Sequence, residues 1–232
     1  MDSLEPERSS SSPSVKIDRL VRRKSRRPGE EIKVTLSDAS SFFVSMRVWE
    51  DAPFHEGDEL PTARWEEILA RTDLIRARGQ ALCLLARSEH SRFLLRRKLL
   101  QRGYHLAAID ASLDALEADG SLSDERFAAS WVRGRMRSHP EGRAHLIAGL
   151  RARGIDAAPA ERAVDDAIAE SGDSIEQLAR EYAERLTRRR TLSPDALADR
   201  LRRRGFAGSV VRAVVTELGW DRPEDDGGDV RP

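Results

Sequence analysis

The sequence contains a single cysteine, Cys83, in 232 residues. That excludes an internal disulfide and any zinc site built on several thiolates. Cys83 stands in "QALCLLA", an apolar helical run in which a small buried thiol is expected. Aromatic residues make up only 5% of the chain against 34% charged residues, and mean hydropathy is −0.56. Such a profile suits small helical units with thin cores better than one thick core. Lysine is nearly absent, since Lys16, Lys24, Lys33 and Lys98 are the only four among 40 basic residues. Arginine favours bidentate contacts with carboxylates and phosphates, although GC-rich coding produces the same bias. No apolar run approaches the ~18 residues of a membrane span, and the start of the chain lacks a hydrophobic signal core. A cytoplasmic protein with no membrane partner is expected. Formal net charge is zero, so composition alone predicts no affinity for nucleic acid. His55, His90, His105, His139 and His145 lack ligand spacing, and no nucleophile triad or phosphate-binding glycine loop is visible. Neither metal, cofactor nor catalytic residue is expected, and the chain does not read as an enzyme.

Residues 1–29 are rich in Ser, Arg and Pro and read as a disordered basic arm. Within 30–60, "EIKVTL" alternates Ile32, Val34 and Leu36, and "FFVSMRVW" alternates Phe42, Val44, Met46 and Val48. With "SDASS" as the turn, this predicts a small β-hairpin leaning on the helix that follows. From Pro61 the pattern is helical throughout. The stretch from Thr62 predicts one long helix or two with a break near Gly79, a costly interior residue.

Three similar stops then recur: "LLQRGY" from Leu99, "LRARGI" from Leu150 and "LRRRGF" from Leu201, each 51 residues after the last. An even interval marks a repeated structural unit. Taking Gly103, Gly154 and Gly205 as the left-handed residues just past three helices, the apolar residue after each glycine packs against the leucine four before that glycine. Leu95, Leu146 and Leu197 share that face, and Ser91 and Ser193, aligned with Gly142, suit helix N-caps. Pro194 then takes the first helical position. Ile109, Ala160 and Val211 open a further amphipathic helix, continued at Leu113, Val164 and Val215 and at Leu116, Ala167 and Leu218. Before the cap, Ala77, Ala128 and Ala179 align, as do Trp131 and Tyr182, both expected to pack in the core. The predicted fold is therefore all-α: an elongated tandem array of three-helix repeats, preceded by a small β-hairpin and a disordered N-terminal arm. The long helix and first repeat occupy 61–120, the second repeat 121–172, the third 173–220, and an acidic disordered tail 221–232.

The zero net charge hides a pattern. Residues 91–104 carry five basic groups and no acid, whereas 107–125 carry Asp110, Asp114, Glu117, Asp119, Asp124 and Glu125 with no base. The alternation repeats in the second unit, and the third middle helix is again basic. A charge run usually marks a solvated face, and a cation before each glycine suits the helix macrodipole. Three in-phase basic blocks in a regular array would also line up as a stripe for an extended polyanionic or acidic partner. The candidate partner-binding residues are Arg96, Arg97, Lys98, Arg102, Arg133, Arg135, Arg143, Arg151, Arg153, Arg188, Arg189, Arg202 and Arg203. A different reading is a sequence-specific regulator, because two helices joined by a glycine turn resemble a helix-turn-helix. Base readers are scarce there, with only Gln101 in the middle helices.

Several pieces, in order, resemble the RecX regulatory proteins of bacterial recombination: "ALCLLARSEHS", "LLRRKLLQRGY", "LEADGSLSDERFAASWV" and "GRAHLIAGLRARGI". The resemblance covers roughly residues 79–172 closely and 173–220 more loosely. It implies a non-enzymatic, monomeric modulator of the RecA recombinase that lies in the groove of the RecA–DNA filament. Such a protein would suppress ATPase and strand exchange, and so act in DNA repair and the SOS response. It implies contacts to single- or double-stranded DNA through phosphates, without sequence preference. The long N-terminal arm and the acidic tail depart from the family pattern, as does Gly142-Arg143-Ala144, where a proline is common.

Overall fold

The computed structural model describes residues 13–24, 30–138, 140–171, 174–188 and 192–218. The chain divides into two compact units, Met1–Leu122 and Ser123–Pro232.

The first unit opens with a sheet. Strands β1 (Ser14–Lys24), β2 (Glu30–Leu36), β3 (Ser41–Ser45) and β4 (Glu59–Pro61) form a four-stranded sheet in the order β3-β2-β1-β4, with antiparallel neighbours. The β2–β3 hairpin is present as expected. Its turn is closed by Asp38, whose carboxylate accepts from the Ser40 amide at 2.9 Å and hydroxyl at 2.6 Å. Those bonds hold the Asp38 carboxyl below its usual range. Two expectations are corrected here. Residues 14–24 of the supposed arm are the strand that joins β2 to β4. Their periodicity was hidden because the register shifts between Ile17 and Arg19. That bulge breaks the two-residue alternation of Val15 and Ile17 before it resumes at Leu20. The second strand also ends sooner than expected: Met46–Asp51 is a short helix, α1, which buries Met46 and Val48. The fold is thus mostly helical but not all-α.

Helix α2 (Thr62–Leu85) runs unbroken past Gly79. Its first half places Trp65 and Ile68 in the sheet core beside Ile17, Ile32, Val34, Val44 and Phe54. Its second half places Ala77, Ala81 and Leu84 in a separate core with Leu95, Leu99, Tyr104, Ile109, Leu113 and Leu116. Spacings of four and three put those residues on one stripe. Cys83 falls off the stripe and is exposed, which corrects the expectation of a buried thiol. Helices α3 (Arg92–Leu100) and α4 (Leu106–Ala118) complete the first three-helix bundle.

The second unit repeats that bundle twice, as α5 (Asp124–Ser138), α6 (Arg143–Arg151) and α7 (Ala157–Ser171), then α8 (Ile175–Thr187), α9 (Pro194–Arg203) and α10 (Gly208–Glu217). The aligned alanines Ala77, Ala128 and Ala179 are all buried, as are Leu146, Leu150, Leu197 and Leu201. The third copy is looser at its end. There Val210, Val211 and Val214 are buried, while Val215 and Leu218 are only half-buried. Among the described residues, no helix is long and apolar enough to cross a membrane. Residues 219–232, including the acidic tail, lie outside the described residues.

Candidate partner and nucleic-acid interface

Each middle helix is closed in the same way. Gly103, Gly154 and Gly205 have φ of 79°, 83° and 80°, the left-handed region that glycine enters without a Cβ penalty. The amides after them, on Tyr104, Ile155 and Phe206, donate back to the carbonyls of Leu99, Leu150 and Leu201 at 3.3, 3.2 and 3.3 Å. The glycine amides donate to Leu100, Arg151 and Arg202 at 2.9, 3.0 and 2.9 Å. These are the two bonds of the Schellman stop. At the other end, the Ser91 and Ser193 hydroxyls accept from the Leu94 and Ala196 amides at 3.2 and 3.3 Å. Ser123 and Ser174, which sequence reasoning missed, cap α5 and α8 in the same manner.

The charge alternation is largely an internal pairing. Arg92 of α3 reaches Asp114 at 2.7 Å and Glu117 at 2.6 Å on α4. Arg96 lies bidentate on Asp110, at 2.8 and 3.4 Å. In the second repeat Arg143 grips Asp165 at 2.7 and 2.8 Å, and in the third Arg180 meets Glu217 at 2.8 Å. Arg92 and Arg143 are 51 residues apart, as are Asp114 and Asp165, so one bridge occurs in two copies. The repeat interval was the signal that could have revealed it. The expectation that solvation accounts for the acidic third helices is therefore corrected: many of their carboxylates are partners of the middle helix.

These bonds shift titration. The hydrogen bond from Arg96 lowers the Asp110 pKa, and that from Arg143 lowers the Asp165 pKa. Arg96 and Arg143 are raised by the same bonds. Burial opposes the charge on Arg92, but its bonds to Asp114 and Glu117 prevail and its pKa is raised. A depressed carboxylate stabilises the fold above its unfolded pKa and ceases to do so as pH falls through its folded one. We expect Asp165→Asn to cost about 0.5 kcal/mol at neutral pH, because the pair is half-exposed and screened by solvent. In urea unfolding followed against pH, that difference should vanish in acid, below the folded pKa. A constant difference at all pH values would dissociate the pair from stability.

The remaining predicted residues divide by environment. Arg102 and Arg153 donate to the carbonyls four residues back, Lys98 at 2.9 Å and Gly149 at 2.7 Å, which is the macrodipole role allowed for them. Arg153 also lies 4.6 Å from the Trp131 ring centroid, with Arg135 at 5.7 Å. Trp131 is half-buried rather than central in the core. A Cβ on Gly149 would stand 2.3 Å from its ring. Tyr182 is likewise half-buried, with Arg204 5.2 Å from its ring centroid and Phe206 at 6.4 Å. Arg135 binds the buried Glu141, which Arg204 also reaches at 3.0 Å; sequence reasoning singled out neither Glu141 nor Arg204 for this. Lys98 meets His90 Nε2, while His90 Nδ1 faces the Ser88 carbonyl at 2.8 Å. Arg133, Arg188 and Arg202 make surface pairs with Glu170, Glu184 and Asp199. Arg97 lies over Phe93 at 5.8 Å. Among the described residues, exposed Arg97, Arg151 and Arg203 form no ion pair. Arg189 lies outside the described residues.

This three-helix geometry has known counterparts. The family model described as the first three-helix domain of RecX matches residues 77–116, and that for the second matches 123–164. The regulatory protein RecX of Treponema pallidum (strain Nichols) is 41% identical over 140 residues, covering 59% of this chain and 84% of the relative. The chain belongs to the RecX family. The RecX of Xanthomonas citri is 40% identical over 145 residues, covering 59% of this chain and 83% of its own. A crystal structure of regulatory protein RecX aligns with a TM-score of 0.60 at 22% identity, covering 86% of this chain and 98% of that one. RecX from Lactobacillus salivarius aligns at 0.52 and 21% identity, covering 63% and 97%. At those identities the structures show the shared fold. The relatives carry the name regulatory protein.

Proposed function

We infer that this chain is a non-enzymatic regulator of RecA-driven recombination. It binds the RecA–DNA filament as a cytoplasmic monomer, lowers ATP hydrolysis and strand exchange, and so acts in DNA repair and the SOS response. The observation carrying this reading is the match to regulatory proteins of the RecX family over more than four fifths of their length. The physical support lies in the division of labour among the arginines. Those between middle and third helices are spent on Asp110, Asp114 and Asp165, which fixes the bundles. Arg97, Arg151 and Arg203 face outward on α3, α6 and α9, where they can meet phosphate or acidic filament surface. Phosphate contacts of this kind lose affinity as salt rises and carry no sequence information. The test is titration of the full chain into a RecA–single-stranded-DNA ATPase assay. Hydrolysis should fall with added protein, and an unchanged rate at saturation would reject the reading. Footprint protection confined to one duplex site would favour a sequence-specific regulator instead.

A further inference from the structure

We propose that the sheet face turned away from the core is a platform for single-stranded nucleic acid, on which Phe43 stacks a base while Arg19, Arg23 and Lys33 take phosphates. The inference does not rest on the filament reading, since it concerns free nucleic acid and a different part of the molecule. Strand alternation assigns the two faces. Ile32, Val34 and Leu36 point into the core, so Lys33 and Thr35 point out. Pairing then places three residues in one cross-strand row, Val21 on β1, Lys33 on β2 and Phe43 on β3. The flanking rows begin with Arg19 and Arg23.

The centre of this face is not an ordinary solvated surface. Such a face on an antiparallel sheet is polar, yet Phe43 is 37% exposed and Val21 40% exposed on either side of a lysine. The charge is one-sided as well. The one carboxylate in the three rows, Glu31, is taken by Arg76 of α2 at 3.2 Å. Among the described residues Arg19, Arg23 and Lys33 form no ion pair. Asp18 stands in the bulge, outside the rows. At a rise of about 3.4 Å per residue, Arg19 and Arg23 stand about 13.6 Å apart on β1, and Lys33 lies in the row between them on β2, a rail of cations beside an exposed ring. A rail plus a ring is what a flexible strand of phosphates and bases requires, because every base has a stackable face. An acidic protein surface would match the rail but has no use for the ring.

Binding of the full chain to a labelled oligothymidylate, read by fluorescence anisotropy at several salt concentrations, tests this. Phe43→Ala should weaken binding about tenfold, Phe43→Leu should weaken it nearly as much, and Phe43→Trp should keep it. Lys33→Glu and Arg19→Glu should weaken binding and flatten its salt dependence. Because these side chains are on the open face, circular dichroism melts should match the parent, which separates lost binding from lost folding. Equal affinity of the parent and all the variants would overturn the proposal. So would a parent that fails to bind the oligonucleotide. Weakened recombinase inhibition with unchanged DNA affinity would assign the face to a protein and equally overturn it.

Discussion

Replacing Gly142 by alanine is expected to destabilise the Ser123–Pro232 unit by about 3 kcal/mol or more. Gly142 precedes α6 with an ordinary φ of −73°, so backbone freedom is not the reason for glycine. Space is. A Cβ there would stand 2.0 Å from the Gly205 carbonyl oxygen, 2.2 Å from its carbon and 2.4 Å from the Phe206 nitrogen. These are backbone atoms of the third repeat's helix stop and cannot swing aside. The Gly142 amide also donates to the Arg204 carbonyl at 2.9 Å, so the start of one middle helix is hydrogen-bonded to the end of the next. Gly103→Ala is the control. Nothing lies within 4 Å of its added Cβ, and only the left-handed backbone is penalised, by about 1 kcal/mol. Hydrogen exchange localised to residues 143–151 and 194–203 should show the unit opening in Gly142→Ala alone. Similar protection in both variants would mean that the close approach does not exist.

Glu141→Ala should cost the same unit about 2 kcal/mol. Its carboxylate is 2% exposed and shared by Arg135 and Arg204, whose side chains are 36% and 30% exposed. Because both arginines can turn partly to solvent, the loss should fall short of that for a fully enclosed pair. Glu141→Gln should recover part of it by keeping a hydrogen-bond acceptor. A double-mutant cycle of Glu141→Ala with Arg204→Ala, followed by urea unfolding, should give a coupling of about 1 kcal/mol. A single variant within about 0.5 kcal/mol of the parent would show that the carboxylate is not a clasp between the repeats.

The repeats were legible because a Schellman stop demands glycine, a leucine five before the next apolar residue and an interval that does not drift. Each of those is visible in one chain. The first strand was not legible, since one bulged residue between Ile17 and Arg19 destroys the alternation that identifies a strand, and its outward positions carry the arginines typical of an arm. Charge was readable in position but not in partner. A basic helix beside an acidic one can face water, a ligand or each other, and here Arg96 and Arg143 face Asp110 and Asp165. The half-buried state of Trp131 was hidden for a related reason. Its alignment with Tyr182 fixes a helical face, but the guanidinium groups of Arg135 and Arg153 that flank the ring arrive from other turns and another helix.

The most direct measurement is the ATPase rate of a RecA–single-stranded-DNA filament titrated with the parent chain and with Arg97→Glu, Arg151→Glu and Arg203→Glu combined. The parent should suppress hydrolysis, and the triple variant, with its glycine stops and ion pairs untouched, should require a markedly higher concentration for the same effect. Identical titration curves, from variants with identical melts, would contradict a regulator that grips its filament through these outward arginines.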